Sequence, residues 1–348
     1  MSERTEHEGL HGTEGTVLDV ARRRWTPGRI ALQIVGIAIG LALLGWAVSM
    51  ALSEENRQTL ETVWAAPLRL VAAIAGLTLV SIVLNGLTFW VTLGPLRRLS
   101  LVDVVGINAI ATFLSVLPFK LGFLMRVVYH HRRDRVPFRD IVAWFAAAGA
   151  LGLAVLLPVG FASLWIGEPT IMWGIAAAGG ALLCTAIGVG LSFAALRVRL
   201  LHRLSLGADR VIRDQRAVWS QWVLRMSEVC VLGARFYLAA RIAGVDLGLA
   251  RSLLLGAGYF IISVVAPAGS VGVAEMGTVG VARVASIDSE AIVVVALIVT
   301  VTQLGVSFLV SGPIWLYLRP ERVLVPGRMN PISPPRSDES RSSTPGAA

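Results

Sequence analysis

Apolar runs near the ~20 residues that a helix needs to cross a bilayer recur from Ile30 to Leu318, more than one soluble core could bury. The chain therefore reads as an all-α polytopic membrane protein. With 55% hydrophobic and only 15% charged residues, one membrane domain, residues 30–318, fills most of the 348 positions. The flanking stretches 1–29 and 319–348 read as disordered cytoplasmic tails, because they hold too little apolar surface to fold. The first run, Ile30 to Leu52, is too long for a signal-peptide core and is expected to remain as a span. Cys184 and Cys230 lie inside apolar runs without metal or redox spacing and read as small buried hydrophobes.

Charge placement sets the expected topology. The net charge is +9, but the arginines cluster beside apolar runs, which favours contact with anionic headgroups over nucleic acid. Arg22, Arg23, Arg24 and Arg29 place the N-terminus in the cytoplasm, and Arg319, Arg322 and Arg328 do the same for the C-terminus. Both Arg97–Arg98 and Arg132–Arg139 are basic, so Val104 to Tyr129 is expected to enter and leave on the cytoplasmic side, broken at Pro118 and Gly122. Ser252 to Ser286 must likewise start and finish outside, broken at Pro267, Gly269 and Gly272. Eight hydrophobic segments result: six full spans and two re-entrant helical hairpins, with both termini inside.

Pro118 and Pro267 are 149 positions apart, and that shift carries Leu68–Leu93 onto 217–242 and Asp140–Trp165 onto 289–314. Two halves, 30–166 and 170–318, then form an inverted-topology repeat. Eight residues past each proline stand Arg126 and Glu275, charges of opposite sign at matching depth. An ionisable group held in the bilayer must pair, snorkel or face water, so its default reading is functional. Snorkelling remains the alternative for both, more so for the longer arginine.

The stretches LPFKLGFLMR, Leu117 to Arg126, and APAGSVGVAE, Ala266 to Glu275, resemble the two signatures of the lysylphosphatidylglycerol synthase transmembrane-region family, also called the flippase-like membrane family. Pro118, Gly122 and Arg126 match the first signature by position; Pro267, Gly269, Gly272 and Glu275 match the second. Phe123 stands where that family usually has Glu. The resemblance covers nearly all of Ile30 to Leu318, and the soluble aminoacyl-transferase domain of the lysyl-lipid synthases has no counterpart in this sequence. It implies lipid translocation or an accessory role in lipid or glycolipid assembly.

Within Trp219 to Ala243, the residues Gln221, Arg225, Glu228 and Arg235 project within about 80° and form one polar stripe, with Arg225 and Glu228 spaced to pair. The last span offers Thr300, Gln303, Ser307 and Ser311 at helical spacing, and the second offers Ser81, Asn85, Thr88 and Thr92. Each such seam alone is better explained by helix gluing. Broken helices aim backbone N–H dipoles at mid-membrane, and Lys120, the sole lysine, Arg126 or Arg225 would add charge for a phosphate.

The function expected is binding or translocation of a lipid with an anionic phosphate headgroup, in a bacterial cytoplasmic membrane, without a cofactor. A non-transporting accessory subunit of a lipid-biosynthetic enzyme and a membrane-embedded lipid transferase are the alternatives. Enzyme motifs are weak: GSVG, Gly269 to Gly272, lacks the pattern of a nucleotide loop. His130 and His131 share no ligand spacing with His202 and read as headgroup-facing.

Overall fold

The computed structural model describes residues 57–115, 121–198, 205–265 and 272–324, with isolated positions between 42 and 54. Every regular element among them is helical. The expected first span and both tails lie largely outside the described residues, as do Pro118, Lys120, Pro267 and Gly269.

After a short helix α1, Arg57–Trp64, Pro67 stands at the N-cap of α2, Leu68–Leu93, where its missing N–H removes no helical bond. Next come α3, Leu101–Leu114, and α4, Leu121–Arg132. Helix α5, Phe138–Ile166, starts after Pro137 and ends at Gly167, whose φ of 73° suits glycine alone at low cost. Thr170 accepts a hydrogen bond from the Trp173 N–H and opens α6, Ile171–Ala194, which contains a π-helical turn at Ile175–Gly179. A short α7, Ala208–Ile212, leads to Asp214, whose side chain caps α8, Gln215–Ile242. Then follow α9, Leu249–Val265, α10, Val273–Val284, α11, Ser289–Leu318, and α12, Glu321–Leu324.

Helices α2, α5, α6 and α11 are long and apolar enough to cross a membrane. Their outer faces bear it out: Leu183, Ile187 and Leu191 on α6 and Val301, Phe308, Leu309 and Leu316 on α11 are exposed. Patches of that kind need hydrocarbon or a partner against them. α8 matches them in length at 28 residues, but its polar stripe lowers its hydropathy.

Helix α2 lies along α8 at the centre. α3 packs on α2 and α11, while α9 packs on α8 and α5. Each expected hairpin is a pair of helices packed together, α3 with α4 and α9 with α10. The largest apolar core forms where α8, α10 and α11 meet, around Phe236, Val279 and Ile292.

Four sequence expectations change. Gly122 does not break a helix; it lies in α4, where a Cβ would come within 2.0 Å of the Ala111 carbonyl oxygen on α3, so only glycine permits the approach. Both cysteines are exposed, because an apolar run does not reveal which of its faces meets protein. His130 is buried, bonded through Nδ1 to Asp134 Oδ2 at 2.6 Å, and is no headgroup contact. The turn Glu321–Leu324, assigned to the disordered tail, is helical and packs on α4.

Candidate functional site

The stripe on α8 is the key to the site. Gln221, Arg225, Glu228 and Arg235 are all nearly fully buried, on the face that α8 turns toward the rest of the bundle. Stranded charge there would cost several kcal/mol, so each group's partner matters. Arg225 Nη1 donates to Glu228 Oε2, one turn on, and its guanidinium lies over the Phe260 ring at 5.3 Å. Asn85 Nδ2 on α2 donates to the other Glu228 oxygen at 3.1 Å. Further along, Thr92 Oγ1 reaches Gln221 Oε1 at 3.1 Å.

Arg235 is treated differently. Its Nη2 reaches only the Val299 carbonyl, at 3.3 Å, and its Nε has no hydrogen-bond partner among the described residues. Arg126, half-buried on α4, donates through Nη2 to Asn108 Oδ1 at 2.8 Å and stacks over Phe89 at 4.8 Å, while its Nε is also unpartnered. Neither has a carboxylate ion-pair partner among the described residues.

Asn85, Arg126, Arg225, Glu228 and Arg235 converge on a cavity of about 350 Å³ between α2, α3, α4, α5, α8, α9 and α11, which Gln221 does not line. Its wall holds Arg126, Arg225 and Arg235 against one carboxylate, Glu228, together with Asn85 and Gln303. Three guanidiniums against one carboxylate leave the wall with a net positive formal charge. Phe123 also lines it and packs against Phe145 in a tilted arrangement, ring centroids 4.8 Å apart. Glu275 lies just behind the wall, fully buried, with Oε1 accepting a hydrogen bond from Thr300 Oγ1 at 2.5 Å. Gly272 stands at the N-cap of α10 with a φ of 80°, which places Glu275 in that helix's first turn.

Gly122, Arg126, Arg225, Glu228, Arg235, Gly272, Glu275 and Gln303 are therefore at or beside this cavity, Gly122 and Gly272 through backbone roles. Sequence reasoning missed Asn108, Tyr259, Phe89 and Phe260. A lone polar residue in an apolar run, as at Asn108, was the one available signal for the first of them. No group of three or more His, Cys, Asp or Glu among the described residues is placed to hold a metal ion.

The family model described as lysylphosphatidylglycerol synthase TM region matches residues 33–311. The chain belongs to this family. Comparison with curated proteins and with solved structures gives no significant match. Membership in the lysylphosphatidylglycerol synthase transmembrane-region family, with the four long apolar helices, makes this an integral, multi-pass membrane protein of a group related to lipid metabolism. The match covers every residue that lines the cavity.

Proposed function

We propose that this protein binds, and by flippase-like rocking of its halves translocates, a lipid whose anionic phosphate headgroup occupies the arginine-walled cavity. The observation that carries the reading is the pair Arg126 and Arg235, two guanidiniums that face the cavity without a carboxylate to neutralise them. An anion supplied from outside completes such a site, through charge-assisted hydrogen bonds to phosphate oxygens.

A tail needs a place as well. A wholly apolar groove of about 410 Å³ runs between α5, α9 and α10 and shares Leu156 and Ile261 with the cavity wall. A headgroup in one and a hydrocarbon chain in the other fit a single amphipathic molecule, whereas a soluble anion would leave the groove unused.

In this reading the pairs α3/α4 and α9/α10 are re-entrant hairpins entering from opposite faces of a bacterial cytoplasmic membrane. Exchanging α2 with α8, α3 with α9, α4 with α10 and α5 with α11 turns each packing contact among these eight helices into another that exists, which supports an inverted repeat. The halves would rock about a midplane site without catalysing a reaction, and anionic membrane lipids would be the partners.

The test uses proteoliposomes holding fluorescent phosphatidylglycerol. Arg126→Ala and Arg235→Ala should each slow transbilayer exchange at least about tenfold, the equivalent of one lost charge-assisted contact. Exchange at the wild-type rate in both variants would sink the reading.

A further inference from the structure

Among the described residues, Glu275 is the one buried charge beside the cavity that headgroup binding leaves without a role. Its residue is fully buried, and the N–H groups of Gly272 and Glu275 lie beside the carboxylate at the start of α10. Oε2 has no hydrogen-bond partner among the described residues. Oε1 is reached by Thr300 Oγ1 at 2.5 Å, and Thr300 Oγ1 is 3.0 Å from the Tyr259 hydroxyl. Thr300 commits its hydrogen to Glu275, so Tyr259 donates to Thr300. Tyr259 and Thr300 both line the cavity. The three groups form an oriented relay that runs from the cavity to an otherwise sealed carboxylate.

We propose that Glu275 is a proton-binding site linked to occupancy of the cavity, so that the anionic headgroup and a proton are taken up together. This rests on the headgroup reading above. A proton arriving from the cavity adds to the Tyr259 oxygen; Tyr259 passes its own hydrogen to Thr300, and Thr300 passes its hydrogen to Glu275 Oε1. One proton has then moved, no bond to carbon has changed, and every hydroxyl is restored.

The coupling is electrostatic. With the cavity empty, Glu275 lies behind a wall that holds three guanidiniums, Arg126, Arg225 and Arg235, against the one carboxylate of Glu228, and net positive charge nearby opposes protonation of a carboxylate. A bound phosphate offsets that positive charge and adds a negative one, so it favours the protonated carboxyl; by reciprocity, protonation of Glu275 favours the phosphate. The result is lipid movement linked to proton movement.

Other ionisable groups are remote from this face. Helices α9 and α11 pack against α10 and present Tyr259 and Thr300 to Glu275. Arg251 on α9 and Arg283 on α10 stand eight residues from Tyr259 and Glu275, roughly two helical turns, and Glu290 and Tyr317 on α11 are further from Thr300. Residues 266–271 contain no ionisable side chain. On α8, Arg235 and Glu228 are the charges that reach toward Tyr259 across the cavity.

The experiment measures binding of fluorescent phosphatidylglycerol to the purified full-length protein between about pH 5 and pH 8, where the phosphodiester itself does not titrate. Wild-type affinity should tighten about fivefold or more toward low pH, with proton uptake visible to a dye in weak buffer. Glu275→Gln should hold the low-pH affinity at every pH and take up no proton. Should that variant not fold, Thr300→Val cuts the relay with the carboxylate in place and should slow proton uptake at least about fivefold. A wild-type affinity flat in pH, an unchanged slope in Glu275→Gln, or unslowed uptake in Thr300→Val would each overturn the proposal. Absence of phosphatidylglycerol binding at every pH would instead overturn the headgroup reading, and this proposal with it.

Discussion

Arg126 on α4 donates to Asn108 on α3 at 2.8 Å, and Asn108 in turn donates through Nδ2 to the Ile82 carbonyl on α2 at 3.1 Å. One amide therefore aims a cavity guanidinium and ties three helices together. Asn108→Leu strands both partners, and loss of a hydrogen bond to a charged group costs about 1.5–3 kcal/mol. Thermal unfolding in detergent should show that loss. Asn108→Asp keeps an acceptor for Arg126 but neutralises it, so phosphatidylglycerol affinity should fall about tenfold, ~1.4 kcal/mol. Unchanged affinity in Asn108→Asp would remove Arg126 from the site.

Arg225 and Glu228 form a buried ion pair in which Glu228 also accepts from Asn85. Removing one member leaves the other charged and unpaired, at a cost of about 3–5 kcal/mol. Replacing both should cost far less than the sum. A double-mutant cycle with Arg225→Leu and Glu228→Leu, read by denaturant unfolding, checks this. Additive losses would mean that the two side chains reach other partners or solvent.

Gly122 packs directly against the backbone of α3, and a Cβ there would lie 2.0 Å from the Ala111 carbonyl oxygen. That contact is with backbone, which cannot rotate away as a side-chain tip would. Gly122→Ala should therefore force the two helices apart and cost about 3 kcal/mol or more. Expression and melting temperature provide the measure. Gly149→Ala is the control, since a Cβ at Gly149 meets nothing within 4 Å.

How much of this could be read from sequence follows from what each signal reports. Hydropathy fixes where a helix enters and leaves lipid, so α2 has the bounds expected for the second run, and α5 falls within two residues of Asp140–Trp165. Helical period fixes which residues share a face, and the α8 stripe is buried as one unit for that reason. Neither signal tells what a face touches. Asn108 and Arg126 are eighteen residues apart, and Tyr259 meets Thr300 across forty-one, so their pairings depended on how helices pack. His130 was different: Asp134 stands one turn beyond it, and that spacing predicts a local pair that outranks a headgroup contact.

Gly280 gives the tail groove its own test, independent of the arginines. It lines the groove, and a Cβ added there meets nothing within 4 Å, so a larger side chain can extend into the space without disturbing the helices. Gly280→Leu should leave the melting temperature near wild type while displacing part of any chain in the groove. Each methylene excluded forfeits about 0.8 kcal/mol, and loss of two or so lowers affinity by about tenfold. Long-chain phosphatidylglycerol should bind that much more weakly, whereas a short-chain analogue with the same headgroup, which does not reach Gly280, should be unaffected. Equal weakening of both would point to damage in the cavity. A shift in oligomeric state with lipid affinity intact would reassign the groove to helix–helix contact between copies, because small residues such as Gly160, Gly258 and Gly277 also suit close helix approach. Selective loss of the long-chain ligand is the outcome that a head-and-tail site requires.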